Sequence, residues 1–194
     1  MKFLDALLGR SKPVPARLDA LFALPSAAVT LETEAGFVPS GQAGVCFKPV
    51  SEASFDQMQG DMSQLLNMLK TQRELDLKEL DDKLGYHWVV ITNPDIEGLV
   101  TDVHMVNSSL QDAGFGPQLL CSVFGFKPAP SASRPQSVYL IYLYKRGSFY
   151  PFAPLDGEKR DNELELHLKG ILEKDLKVEP DLTRWFPVWG VPVS

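Results

Sequence analysis

The chain has 194 residues, of which 44% are hydrophobic and 23% charged, and its formal net charge at pH 7 is −6. A chain of this length buries roughly 70% of the surface that its unfolded form exposes, which is enough for one sizeable core. The acidic balance argues against a nucleic-acid partner, because a nucleic-acid-binding protein needs a basic face that displaces counterions. The two cysteines, Cys46 and Cys121, are too few for a disulfide scaffold.

Residues 1–10 predict a short amphipathic helix, because its apolar side chains share one helical face: Phe3, Leu4, Leu7 and Leu8. Asp5 interrupts the apolar run, so the segment does not fit a secretory signal and we expect a cytoplasmic protein. The pattern leaves open whether this helix packs on its own domain, binds a partner or lies on the inner face of the membrane. Residues 11–15 follow as a proline-rich spacer.

We therefore interpret residues 1–15 as an N-terminal helix and spacer, and residues 16–194 as one domain with an aromatic tail. Helices are expected at residues 16–24, ending at Pro25, at 51–69, beginning near Ser51, at 93–114, capped by Asn93, and at 163–174, capped near Asp161 or Asn162. Strands are expected at residues 28–32, 44–48, 86–92, 119–126, 137–145 and 149–152.

Three segments are less distinct. Residues 36–41 contain turn formers and predict a connection between the first two strands. The charge-dense stretch 71–84 fits either an extension of the preceding helix or a solvated loop. The alternation of Leu164, Leu166 and Leu168 leaves a strand open as an alternative for 163–174.

The order of these elements predicts an α+β fold. Strands that follow one another through short connections pair as an antiparallel sheet, and the helices stand between groups of strands. The regular strand–helix alternation of a doubly wound parallel sheet is missing. We expect a single domain in which helices pack on a mainly antiparallel sheet.

Two glycine patterns fail as nucleotide-binding motifs, and we expect no cofactor. Residues 36–41 have the glycine spacing of a phosphate-binding loop, but Gln42 and Ala43 stand where lysine and serine or threonine are required. The GFG sequence at 114–116 follows a helix and precedes a strand, which is the reverse of the dinucleotide-binding order.

His104 and Asp102 are the strongest candidates in the sequence for a catalytic or metal-binding site. Together with Cys46 or Cys121 they would suit an activated thiolate or a zinc site, although no spacing supports either. The alternative of an enzyme or metal-binding protein centred there is kept open. Our main interpretation assigns both cysteines to packing and expects no catalytic or metal-binding residue.

Asn107 lies on the apolar stripe of its predicted helix, with His104 three residues earlier. A buried amide must find hydrogen-bond partners, so Asn107, with His104 beside it, is a candidate structural polar group.

Residues 138–144 are apolar on both faces of the predicted strand. A sheet covered on one side only should alternate apolar with polar residues, so either both faces are covered or one is an exposed patch. We expect a chain end to cover the sheet. The candidates are the helix of residues 1–10 and the tail residues Trp185, Phe186 and Trp189.

Four long motifs carry a family resemblance: LPSAA at 24–28, GLVTDVHMVN at 98–107 continuing to DAGFGPQLLC at 112–121, LYKRGSFYPFAP at 143–154, and RWFPVWG at 184–190. With these motifs the chain resembles the PspAB family, the phage-shock-protein-A-associated proteins of bacteria. The resemblance implies a gene beside a PspA-type membrane-stress protein and often a membrane metallopeptidase, with no catalytic residue to carry over. The element order is also similar to type III secretion chaperones and YbjN-like domains, a topological likeness that implies no function.

We therefore expect a non-enzymatic accessory or adaptor protein of a bacterial PspA-type envelope-stress system, acting by protein–protein interaction. The resemblance implies a PspA-type protein or a membrane peptidase of the same operon as partner. Contact of the helix at 1–10 with the membrane surface and self-association stay open. The candidate interaction residues are Phe3, Leu4, Leu7, Leu8, Trp185, Phe186 and Trp189.

Overall fold

The computed structural model describes residues 17–48, 55–83, 85–130, 132 and 136–194. The predicted helix at 1–10, its spacer and the Ser51 cap lie outside these residues. Within the described residues there are four α-helices: α1 (Leu24–Thr30), α2 (Phe55–Gln72), α3 (Ile96–Leu110) and α4 (Asn162–Leu172). The strands are β1 (Phe37–Phe47), β2 (Asp76–Asp81), β3 (His87–Thr92), β4 (Leu119–Pro128), β5 (Val138–Leu143), β6 (Ser148–Phe152), β7 (Pro154–Leu155) and β8 (Lys159–Arg160).

The first six strands form one antiparallel sheet in the order β2-β3-β1-β4-β5-β6, and β7 and β8 form a separate small hairpin. This confirms the predicted α+β fold. Helices α1 and α3 contact β1, and α4 contacts β6. Because side chains alternate along a strand, Val45 and Val89 face the helices, whereas their neighbours Cys46 and Trp88 face the other side of the sheet.

The predicted strand at 28–32 is wrong, because these residues complete α1 and a π-helical turn, Leu31–Ala35. Pro25 does not end a helix but lies in the first turn of α1, where its missing N–H leaves no hydrogen bond unmade. The buried positions of this segment recur with helical spacing: Leu24, Ala27, Ala28 and Leu31. Gly36, at a φ of 71°, ends the helix in the left-handed conformation.

The predicted turn at 36–41 is largely the first half of β1. The register between β1 and β4 shifts between Pro39 and Ala43, so these turn-forming residues occupy an irregular part of the ladder. Proline and glycine are tolerated in a strand at such a bulge. The phosphate-loop interpretation is therefore excluded by the backbone as well as by the residue types.

The stretch 71–84 contains a strand that neither of its two interpretations included. Helix α2 ends at Gln72 and β2 pairs with β3 at the edge of the sheet. Charged residues on an exposed edge strand discourage pairing with another chain. The charges of β2 therefore suit an edge position.

The caps of α3 and α4 come from aspartates. The Oδ2 of Asp95 accepts a hydrogen bond from the N–H of Gly98 at 2.7 Å, so Asp95, and not Asn93, caps α3. The Asn93 side chain instead accepts from the N–H of Asp95. Asp161 caps α4 through the N–H of Leu164 at 3.0 Å. The helix at 163–174 is thus confirmed and its strand alternative is wrong.

Candidate functional site

The chain reaches the second face of the sheet by passing along the edge strand β6. The N–H of Phe149 donates to the carbonyl of Lys177 at 2.9 Å, and the N–H of Glu179 donates to the carbonyl of Phe149 at 2.7 Å. Residues 177–179 thereby extend the sheet in parallel with β6. The following segment, residues 185–194, is called the tail and crosses the face opposite the helices.

Aromatic contacts hold the first half of the tail. The Trp185 ring stacks on Tyr150 with centroids 5.8 Å apart, and Trp185 is only 5% exposed. Its Nε1–H donates to the carbonyl of Glu179 at 3.0 Å. The Tyr150 hydroxyl donates to the carbonyl of Phe186 at 2.8 Å, and Trp189 meets Phe152 edge-on at 5.1 Å. Ring packing and hydrogen bonds to backbone carbonyls therefore anchor the same part of the tail.

The second half of the tail lies directly on two glycines. A Cβ at Gly125 would be 2.6 Å from the Ser194 carbonyl oxygen and 2.9 Å from Val193, and a Cβ at Gly44 would be 3.0 Å from Val193. Glycine inside a strand marks a close approach of another backbone. These two glycines are the signal in the sequence from which this packing could have been found.

A buried carboxylate fixes the entry to the tail. Arg146 and Ser148 donate to Glu179, the latter at 2.7 Å. Burial opposes the ionisation of Glu179, but these hydrogen bonds and one from the N–H of Asp181 outweigh it, so the pKa of Glu179 lies below its usual value. Arg160, which pairs with Glu165, also donates to the carbonyl of Trp185.

A cavity of about 340 Å³ remains between the tail and the sheet. Its wall is mainly apolar and includes Cys46, Trp88, Cys121, Leu143, Tyr150 and Trp189. Phe186 also lines it and is 63% exposed. The volume falls within the range of small ligand sites.

The two cysteines meet in this cavity wall. Cys46 on β1 and Cys121 on β4 are directly opposite each other in the antiparallel register, and both thiols are free. Sequence reasoning assigned each cysteine separately to packing and did not pair them. Burial and the neighbouring thiol raise the pKa of Cys46, the interaction with Cys121 being the larger cause.

His104 and Asp102 lie on the other side of the sheet from these thiols. Asp102 accepts a hydrogen bond from the Asn93 side chain at 2.8 Å, and the His104 ring packs on Phe22 at 4.9 Å. Their helix, α3, contacts β4 through Ser122, whose side chain points away from that of Cys121. The structure therefore does not bring His104 and Asp102 to a cysteine. Among the residues described above, no group of three or more His, Cys, Asp or Glu side chains could hold a metal ion.

Asn107 has the structural surroundings expected of a buried amide. It is fully buried, its Nδ2 donates to Ser122 at 3.3 Å, and its Oδ1 accepts from the Tyr144 hydroxyl at 2.7 Å. Ser122 also contacts Tyr144. This network ties α3 to β4 and to the residue after β5. His104 takes no part in it.

The family model for PspA associated protein B matches residues 1–193. The chain belongs to this family. As a member of the PspAB family it is an accessory protein of the PspA system. No curated protein and no solved structure matches the sequence.

The predicted interaction residues of this PspAB member differ in their exposure to solvent. Trp185 is buried, Trp189 is half-buried against Phe152, and Phe186 is exposed. Phe3, Leu4, Leu7 and Leu8 lie outside the described residues. Within the described part of the chain, no helix has both the length and the apolar character needed to cross a membrane.

One further polar cluster lies at the outer edge of the sheet. The His87 ring nitrogens lie 2.8 Å from Asp81 Oδ1 and 3.3 Å from Glu79 Oε2. Burial alone would lower the pKa of His87, but the two carboxylates outweigh it and raise the pKa. The proximity of the His87 ring is the main cause that lowers the pKa of Glu79. The cluster ties β2 to β3.

Proposed function

We propose that this protein is a non-enzymatic adaptor that acts by protein–protein contact in the cytoplasm, with the PspA-type stress protein as its direct partner. The exposed ring of Phe186, beside the apolar cavity, is the observation that carries the proposal. Protein interfaces concentrate their binding energy in a few aromatic anchors that enter apolar pockets. Family membership supports the choice of partner.

The backbone at Phe186 favours this role because it is held in place before any partner binds. Tyr150 donates to the Phe186 carbonyl, and the preceding Trp185 is anchored on the Tyr150 ring. A side chain on a fixed backbone loses less conformational freedom on binding than one on a mobile loop. Trp185 thus supports the surface, whereas Phe186 and part of Trp189 are available to a partner.

The apolar residues of the segment 1–10 are proposed as a second contact. Phe3, Leu4, Leu7 and Leu8 would bind the PspA-type protein or insert at the inner membrane surface beside it. A membrane peptidase of the same operon is the other candidate partner, and self-association would compete for the same apolar side chains.

The test compares Phe186→Ala with Leu166→Ala, a control at an exposed leucine on α4. Binding of each variant to purified PspA-type protein is measured by calorimetry. We expect Phe186→Ala to weaken binding roughly tenfold or more, the loss of one interface anchor, while Leu166→Ala leaves it unchanged. Equal affinity of both variants and wild type would refute the proposed role of Phe186 in binding the partner.

Deletion of residues 1–12 tests the second contact. We expect co-sedimentation with PspA-type protein or with anionic vesicles to fall while the melting temperature changes little. Repeating the binding with the peptidase separates the two partners. Unchanged association together with a large fall in melting temperature would make this segment part of the core and would overturn its proposed role.

A further inference from the structure

The paired thiols of Cys46 and Cys121 have the geometry for a covalent bond. Directly opposed residues on antiparallel strands have Cα atoms about 4.5–5.5 Å apart. A disulfide bridges Cα atoms roughly 4.4–6.8 Å apart. Cys46 and Cys121 are the last directly paired residues before the register of β1 and β4 shifts between Cys46 and Phe47, and at the pair itself the bridge needs no large backbone movement. Side chains of directly paired residues project from the same face of a sheet, so both thiols lie on the same side of the ladder.

The cavity gives these thiols free space that close-packed cysteines lack. Both line its wall, and their backbones belong to neighbouring central strands of the sheet. A small uncharged oxidant can enter a cavity of about 340 Å³. Conversion of two thiols to a disulfide leaves no charge in the apolar wall.

We propose that Cys46 and Cys121 form an oxidation site in which hydrogen peroxide closes a reversible disulfide between β1 and β4, beneath the tail. This inference does not depend on the proposed adaptor function. It differs from the packing role that the sequence suggests for each cysteine alone, because it requires the two thiols to act as a pair.

The reaction proceeds in two steps that balance. Cys121, the more exposed of the two at 8% against 4%, attacks the peroxide as a thiolate; the O–O bond breaks, giving a sulfenic acid and hydroxide. The Cys46 sulfur then attacks the Cys121 sulfur, forming the S–S bond and displacing hydroxide. With the two thiol protons the products are one disulfide and two waters. Because the pKa of Cys46 is raised, we expect closure to be slower than at an activated redox-sensor cysteine.

The experiment treats the reduced, folded full chain with hydrogen peroxide and counts thiols after denaturation and alkylation. We expect both thiols to disappear together and the mass of the chain to fall by about 2 Da. No disulfide between two chains should form. Dithiothreitol should restore both thiols. Because Trp88 and Trp189 line the same cavity, closure should also quench tryptophan fluorescence.

Cys121→Ser and Cys46→Ser serve as matched controls, since neither can lose the two hydrogens. A melting temperature higher by roughly 5–10 °C is expected for the oxidised wild type, because the bridge closes a long loop. The proposal is overturned if both thiols stay free under excess peroxide, if oxygen is added without a bridge, or if bridges form only between chains or only in unfolded protein.

Discussion

Tyr150 and Trp185 stack with their ring centroids 5.8 Å apart, and this contact joins β6 to the segment that covers the second face of the sheet. The Tyr150 hydroxyl continues the same attachment by donating to the carbonyl of Phe186. The tail is thus part of the core at Trp185 and part of the surface one residue later. Stability and binding should therefore separate between these neighbours.

Trp185→Ala should destabilise the protein by about 3–5 kcal/mol, because it removes a buried indole that stacks on Tyr150 and leaves a cavity. Phe186→Ala should cost less than about 1 kcal/mol, since that ring is exposed. Urea unfolding followed by circular dichroism measures both. Similar losses for the two variants would mean that Trp185 does not anchor the tail.

Gly125→Ala should lower stability by about 1–3 kcal/mol, because its Cβ would overlap Ser40 of β1 as well as Ser194 and Val193 of the tail. The control is Gly170→Ala on α4, where a Cβ meets nothing within 4 Å. That control should gain about 0.5–1 kcal/mol from helix propensity. Limited proteolysis should cut residues 185–194 faster in the Gly125 variant, and an unchanged rate would contradict the close packing of the tail.

Asn107→Leu should destabilise the protein by about 1–3 kcal/mol, because Ser122 and Tyr144 lose their partner while staying buried. Thr101→Leu, at an exposed position of the same helix, should change stability by less than about 0.5 kcal/mol. Thermal and urea unfolding provide the comparison. A neutral Asn107→Leu variant would show that the hydrogen-bond network contributes no net stability.

His87→Gln should cost more stability at pH 5.5 than at pH 9. The folded-state pKa of His87 is raised, so its contribution is full below its unfolded value of about 6.5 and is lost as the pH rises through the folded value. Glu79 has a lowered pKa, so its contribution is present above about 4.3 and is lost at lower pH. Unfolding at both pH values measures the difference, and a pH-independent cost would disprove the ion pair.

Much of the fold follows from local pattern. Helices α2 and α3 carry long apolar repeats of period 3.6, and β4 and β5 are continuous runs of strand-forming residues. Such patterns predict one conformation because any other would expose the apolar face. The burial of Asn107 could be predicted in the same way, since it lies on the apolar stripe of α3.

Short segments could not be assigned by this reasoning. Residues 28–32 and 76–81 are each shorter than two helical turns, so their periods are ambiguous, and the partner that decides their conformation is distant in sequence. Edge strand β2 exists because β3 offers it a hydrogen-bonded ladder. Its charges by themselves suggest only a solvated segment.

The sequence by itself determined the α+β class, most of its elements and the family to which the chain belongs. Only the tertiary structure decided what covers the second face of the sheet and that Cys46 faces Cys121 across β1 and β4. Both depend on strand register and on the path of residues 177–194 around β6. Register is set by contacts between residues far apart along the chain, which periodicity within one segment does not contain.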